Sequence, residues 1–253
     1  MDLKALLEHH VTDQIWARIP FGPIDLPLSK HLLMMGIASA ILLIVFPLII
    51  RSRSAALAPF RGMIEATVLF LRDEVVVPNM GHKGAAYTGY FATLFFFILL
   101  MNLIGLVPYG ATATGNLAVT GGLALTTFVL INFTGIREQG LLGYFAHLVP
   151  KGVPLWLYPL MFPIELLGLF IKTFALCIRL FANMIAGHIV ILVFICFIFI
   201  FGAFSSIFGF LVAPVSIGLV LFTLLLELLV AFLQAYIFVT LTAIFTGAAM
   251  HPH

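Results

Sequence analysis

Apolar and polar positions segregate along this chain on the scale of whole helices. After about 30 mixed residues, positions 32–50 run without a charge, long enough to cross a hydrocarbon core of about 30 Å. Arg51, Arg53 and Arg61 follow at once, and the segment ahead of the span is slightly acidic. The excess of basic residues on one flank places the N-terminus outside and Arg51 inside. Residues 1–31, polar at first and then interrupted by Pro20, Pro23 and Pro27, read as a short amphipathic piece followed by an extended lead-in. Residues 60–77 differ in kind. Phe60, Met63, Ile64, Thr67, Val68, Leu71 and Val75 recur at helical spacing, with Arg61, Glu65, Arg72 and Asp73 on other faces. That pattern predicts an interfacial helix on the inner surface rather than a span, with a loop-packed helix as the open alternative.

Two further spans are predicted at 87–107 and 116–136, separated by Pro108 and a glycine-containing outer turn at 110–115, the second closed by Arg137 and Glu138. Asn102 and Asn116 either glue helices together or line a water path; the pattern leaves both open. Pro150, Lys151, Gly152 and Pro154 then break the chain. Two long apolar helices follow, 163–201 and 207–246. The first measures about 58 Å at 1.5 Å per residue, nearly twice an upright crossing, so tilt, a break or protrusion must absorb the excess. The fold class expected is all-α: a single polytopic membrane domain over 32–253 with about five membrane-embedded helices and one interfacial helix, the last two steeply tilted in an antiparallel hairpin.

Composition agrees with the pattern. The 253 residues are 63% hydrophobic and only 9% charged, against about 25% charged in soluble domains. A net charge of +2 gives no phosphate-tracking surface, so no nucleic-acid partner is expected. Cys177 and Cys196 sit inside apolar runs, which argues against a disulfide framework or a zinc site. No internal repeat of the secondary-transporter kind is present. No GxxxxGK[ST] phosphate loop occurs, so the chain is not expected to be an enzyme acting on ATP itself.

The chemistry lies in the last hundred residues. Glu165, Lys172 and Arg179 are spaced by seven, a step that drifts only about 20° around a helix, so they share one face. Asn183 lies one turn beyond the arginine. Charges at bilayer depth cost roughly 2.5–3.5 kcal/mol each on insertion scales and usually face protein or water along an ion path. In the last helix Glu227 and Gln234 repeat the seven-residue step. Antiparallel registration brings Arg179 to the level of Gln234 and His188 to that of Glu227. Both pairings put the turn near residue 207, within GAFSSIFG (202–209). Arg179 and His188 are about two and a half turns apart, so an unbroken helix points them to opposite sides: the arginine towards a partner, the histidine into the bundle. His188 with Glu227 is read either as a proton relay or as a structural pair joining two helices. Glu165 and Lys172 are read either as polar groups of an ion path or as a mutual pair, with the lysine snorkelling to water. A metal site is not expected, since there is no HExxH spacing and no evident third ligand.

RLFANMIAGH (179–188), ELLVAFLQAYIFVTLT (227–242) and MNLIGLVPY (101–109) together resemble subunit a of F-type ATP synthases, and the likeness covers the chain from about residue 30 onward. The resemblance implies a stator packed against a ring of c subunits and held by b-type peripheral stalk subunits within the whole complex and the membrane lipid, without a cofactor. It implies two offset half-channels that load and unload the ring carboxyl groups. Arg179 matches the family's essential arginine, Asn183 its nearby asparagine and Gln234 its glutamine. His188 and Glu227 match the outer half-channel pair, and Glu165 and Lys172 match positions on the inner side. The order His then Glu resembles alphaproteobacterial and mitochondrial members, and Ala175 stands where some bacterial members carry serine. A bacterial inner membrane is the expected location, with the mitochondrial inner membrane as the alternative. A rotor-free ion channel or secondary transporter is the competing class.

Overall fold

The computed structural model describes residues 15–21, 24–52, 54–107, 112–141, 143–144 and 157–250. The proline-rich lead-in is extended and paired with itself. Strands β1 (Ile15–Phe21) and β2 (Ile24–Ser29) form an antiparallel hairpin in which Ile19 pairs with Leu26 and Phe21 with Ile24. The amphipathic piece expected before it falls in residues 1–14, outside the described residues, as do the turn residues 108–111 and the break around Pro150 to Pro154.

Ser29 caps the first helix, its side chain accepting from the Leu32 amide. Helix α1 (Lys30–Arg51) is continuous through a π-helical segment at Ile41–Val45. Helix α2 begins as Ala58–Phe70 and continues through a second π-helical segment, Leu71–Val76, into Val77–Met80. It is longer than the 60–77 predicted. Only part of its predicted apolar stripe is covered: Ile64, Leu71 and Val75 are buried, joined by Val76 and Met80, whereas Phe60 and Met63 are exposed. Arg72 and Asp73 are exposed on another face, where the hydrogen bond from Arg72 holds the Asp73 carboxyl below the usual carboxylate range.

Helices α3 (Thr88–Leu106) and α4 (Leu117–Gln139) are the next pair. Gly140, at φ 75°, stops α4 by adopting the left-handed conformation that only glycine takes without strain, three residues later than the predicted end. Helices α5 (Tyr158–Phe204) and α6 (Ser206–Met250) are 47 and 45 residues long and enclose Pro163 and Pro214. Neither is broken. Ser205 alone separates them, and Gly202 and Gly209 meet backbone to backbone beside it. Among the described residues, five helices are long and apolar enough to cross a membrane: α1, the stretch His82–Leu106 containing α3, α4, α5 and α6. Helix α2 is not among them.

The core lies where α6 packs along α5, α3, α4 and the end of α2. Phe91, Phe95, Ile98 and Met101 of α3 meet Ala235, Phe238, Val239 and Ala243 of α6. Thr120, Thr127 and Thr134 recur every seven residues along α4 and are fully buried. Small hydroxyl residues of this kind let helices approach closely without lipid between them. At the far end, the Asn79 carbonyl occupies the space that a Cβ on Gly247 would need, at 1.9 Å. A backbone oxygen cannot swing aside, so Gly247→Ala is expected to destabilise the protein by about 1–3 kcal/mol, read as a lowered thermal midpoint in detergent.

Candidate functional site: a polar seam between the two long helices

The seven-residue stripe of α5 does share one face, and that face is turned outward: Lys172 and Arg179 are exposed and Glu165 is half-exposed. Arg179 makes no hydrogen bond or ion pair among the described residues. Lys172 does not pair with Glu165, as one reading expected. Its Nζ sits 5.6 Å over the Phe245 ring of α6 instead, a cation–π placement that accommodates an ammonium on an apolar surface.

Registration of the two helices holds with one change of partner. Gln234, only 2% exposed, is met by Asn183, whose Nδ2 donates to Gln234 Oε1 at 2.9 Å. Arginine was the partner expected at that level. Asn183 lies one turn further along the helix, and its short amide closes the gap while Arg179 stays exposed. The second level forms as registered. His188 Nδ1 lies 4.0 Å from Glu227 Oε1, with the Glu227 side chain only 11% exposed. Both Glu227 oxygens are enclosed and lack a hydrogen-bond partner among the described residues. An ionisable group kept in that condition is costly, and such groups concentrate at functional sites. The unbroken helix thus leaves Arg179 on the outer surface and turns His188, its side chain 35% exposed, towards Glu227.

Three further contacts complete the seam, none of them singled out from sequence. His188 Nδ1 lies 3.0 Å from the Met184 carbonyl and Nε2 lies 2.9 Å from Thr112 Oγ1. Gly187 gives Glu227 its room, since a Cβ there would lie 2.0 Å from Oε1. Gly187 was visible in sequence as the residue beside His188; Thr112 carried only the signal of lying in the outer turn.

The two asparagines left open make different contacts. Asn102 is fully buried, donating from Nδ2 to the Ala231 carbonyl at 3.3 Å and accepting from Thr114 Oγ1 at 2.8 Å, so it ties α3 to α6 and to the outer turn. Asn116 caps α4, its side-chain oxygen accepting from the Ala118 amide at 2.9 Å. Among the described residues no three of His, Cys, Asp and Glu converge as metal ligands would.

Fold and seam define a multi-pass α-helical membrane protein with ionisable side chains set into helices long enough to span. Within that class the comparisons are specific. The model of the ATP synthase A chain family matches residues 32–247. The chain is 48% identical to ATP synthase subunit a of Anaeromyxobacter dehalogenans strain 2CP-C over 240 residues, covering 93% of this chain and 61% of the relative. It is 47% identical to ATP synthase subunit a of Myxococcus xanthus, over 92% of this chain and 77% of that one. A third relative, from Anaeromyxobacter sp. strain Fw109-5, is 44% identical over 97% of this chain and 60% of its own length. The chain belongs to the ATP synthase A chain family. It spans about three-fifths of the length of the two Anaeromyxobacter relatives.

Proposed function

We propose that this chain is the proton-translocating stator subunit in the membrane sector of a rotary ATP synthase, facing a ring of c subunits. The observation that carries the reading is Arg179, an exposed guanidinium with no partner among the described residues, set in a helix apolar enough to lie in lipid. A charge so placed calls for a negative group from another chain, and mobile carboxyl groups on a ring supply it. Arginine stays protonated under any cellular condition, so it cannot pass protons itself. Its field favours the ionised form of a carboxyl group passing in front of it. A proton is thereby prevented from crossing directly beneath the arginine and must travel round with the ring.

Access from the two sides then divides among the remaining polar groups. His188 and Glu227 belong to the outer half-channel, where imidazole and carboxyl suit proton exchange near neutral pH. Glu165 and Lys172 belong to the inner side. Asn183 and Gln234 join α5 to α6 behind the arginine and keep its backbone in place. The chain catalyses no reaction of ATP; that chemistry belongs to separate soluble subunits. Its partners are the c ring, b-type stalk subunits and lipid, in a bacterial inner membrane.

Two measurements test this. Glu227→Gln in the assembled synthase is expected to cut ATP-driven proton pumping by about a hundredfold or more, in the range of a lost acid–base group, at unchanged complex content. Loss of assembly in that variant would move the pair from relay to structure. The chain purified without detergent exchange is expected to bring down a ring of small proteolipids. Proton conduction at full rate by the chain alone in liposomes would sink the stator reading.

A further inference from the structure

His188 is held from two sides by groups of unequal chemistry. Met184 offers a carbonyl 3.0 Å from Nδ1. A carbonyl only accepts, so Nδ1 carries the hydrogen. In the neutral ring Nε2 is then bare, and the group 2.9 Å away, Thr112 Oγ1, donates its hydroxyl hydrogen to it. Thr112 is itself fixed. It is 7% exposed, and a Cβ on Gly105 of α3 would fall 2.4 Å from its Oγ1 and 2.8 Å from its Cβ and Cγ2. Two residues on, Thr114 Oγ1 donates to Asn102 Oδ1 at 2.8 Å, and Asn102 Nδ2 reaches the Ala231 carbonyl on α6 at 3.3 Å. The outer turn is thus anchored to α3 and α6 before it touches the histidine on α5.

We infer that Thr112 is a positioning residue for His188: with the Met184 carbonyl it fixes the Nδ1–H tautomer and presents that edge of the ring to Glu227, 4.0 Å away. The inference rests on the proposed role of His188 and Glu227 in proton translocation and adds a group to it. A hydroxyl suits the task because it serves both states of the ring. It donates to bare Nε2 and accepts from Nε2–H once the ring takes a second proton. The imidazole therefore keeps its orientation while its charge changes. Valine fills the same space and can do neither.

Thr112→Val, Thr112→Ser and Glu227→Gln, each in the assembled synthase in inverted membrane vesicles, separate the outcomes. Thr112→Val is expected to lower ATP-driven proton pumping by about tenfold, the worth of one lost hydrogen bond at a working group, with Thr112→Ser restoring most of it. In ¹⁵N-histidine-labelled complex at a pH where the ring is neutral, the His188 signals, assigned by their loss in His188→Gln, are expected to show protonated Nδ1 and bare Nε2. In Thr112→Val the Nε2 signal shifts. Wild-type pumping in Thr112→Val, or a wild-type ring protonated on Nε2 alone, overturns the inference. Should Thr112→Val fail to assemble, the serine rescue and the wild-type tautomer decide it. Pumping blocked by Glu227→Gln but untouched by Thr112→Val removes Thr112 and leaves the pair. Pumping untouched by both removes the pair's role as well.

Discussion

Proton-driven ATP synthesis in an Arg179→Ala variant is expected to fall to background, while the passive proton permeability of the same membranes is expected to hold or rise. On the proposed reading the two readouts move apart because the arginine would have two tasks. Its positive field would keep an approaching carboxyl group ionised, which is needed for proton release, and would bar a proton from crossing between the access paths. Alanine removes both at once. Structural damage offers a poor alternative account, because the side chain is exposed and makes no hydrogen bond or ion pair among the described residues. Arg179→Lys is expected to fail nearly as completely, since an ammonium in an apolar setting sheds its proton readily and a guanidinium does not. The measurement is acid-bath ATP synthesis beside dye-reported proton leak in vesicles matched for complex content. Synthesis at wild-type rate in Arg179→Ala would refute the assignment.

Gly187→Ala should produce the second large effect, by a different route. The added Cβ would lie 2.0 Å from Glu227 Oε1, 2.7 Å from Cδ and 3.0 Å from Cγ, so the carboxyl group must move by more than an ångström. All three obstructing atoms belong to a flexible side chain. The hairpin therefore has a way to adjust, and the variant should assemble with a thermal midpoint close to wild type. Displacement of a reacting group by about 1 Å costs on the order of a hundredfold in rate, and proton pumping is expected to fall to that degree. Gly187→Ala with full pumping would mean that the position of Glu227 is unimportant; loss of assembly would mean that the contact is structural.

Spans and seam were legible in the sequence to different depths, for physical reasons. Long apolar runs located each of the described helices that can cross, because length and apolarity are what a bilayer requires. Edges were less accurate. Pro163 reads as a helix start, yet α5 begins at Tyr158 and continues through the proline, which lies in its second turn. The last helix is expected to end near residue 246, yet α6 runs on to Met250, with Gly247 leaving room for the Asn79 carbonyl. The facing of Arg179 and His188 followed from helical arithmetic alone, since nine residues cannot bring two side chains to one side of an unbroken helix. Which partner each took did not. Asn183 rather than Arg179 meets Gln234, a choice between neighbours one turn apart that depends on side-chain reach. Thr112 was unreadable for a harder reason: its contact with His188 joins positions 76 apart in sequence, and no local pattern announces such a pairing.

The unbroken length of α5 has a geometric corollary. Forty-seven residues make a rod of about 70 Å, and confining it to a slab about 30 Å thick leaves each residue only about 0.6 Å of descent. Arg179 and His188 would then differ by about 6 Å in depth and by about twice that sideways. Stations laid out along a shallow ramp suit cargo that circles in the plane of the bilayer, whereas a vertical pore would stack them one above another.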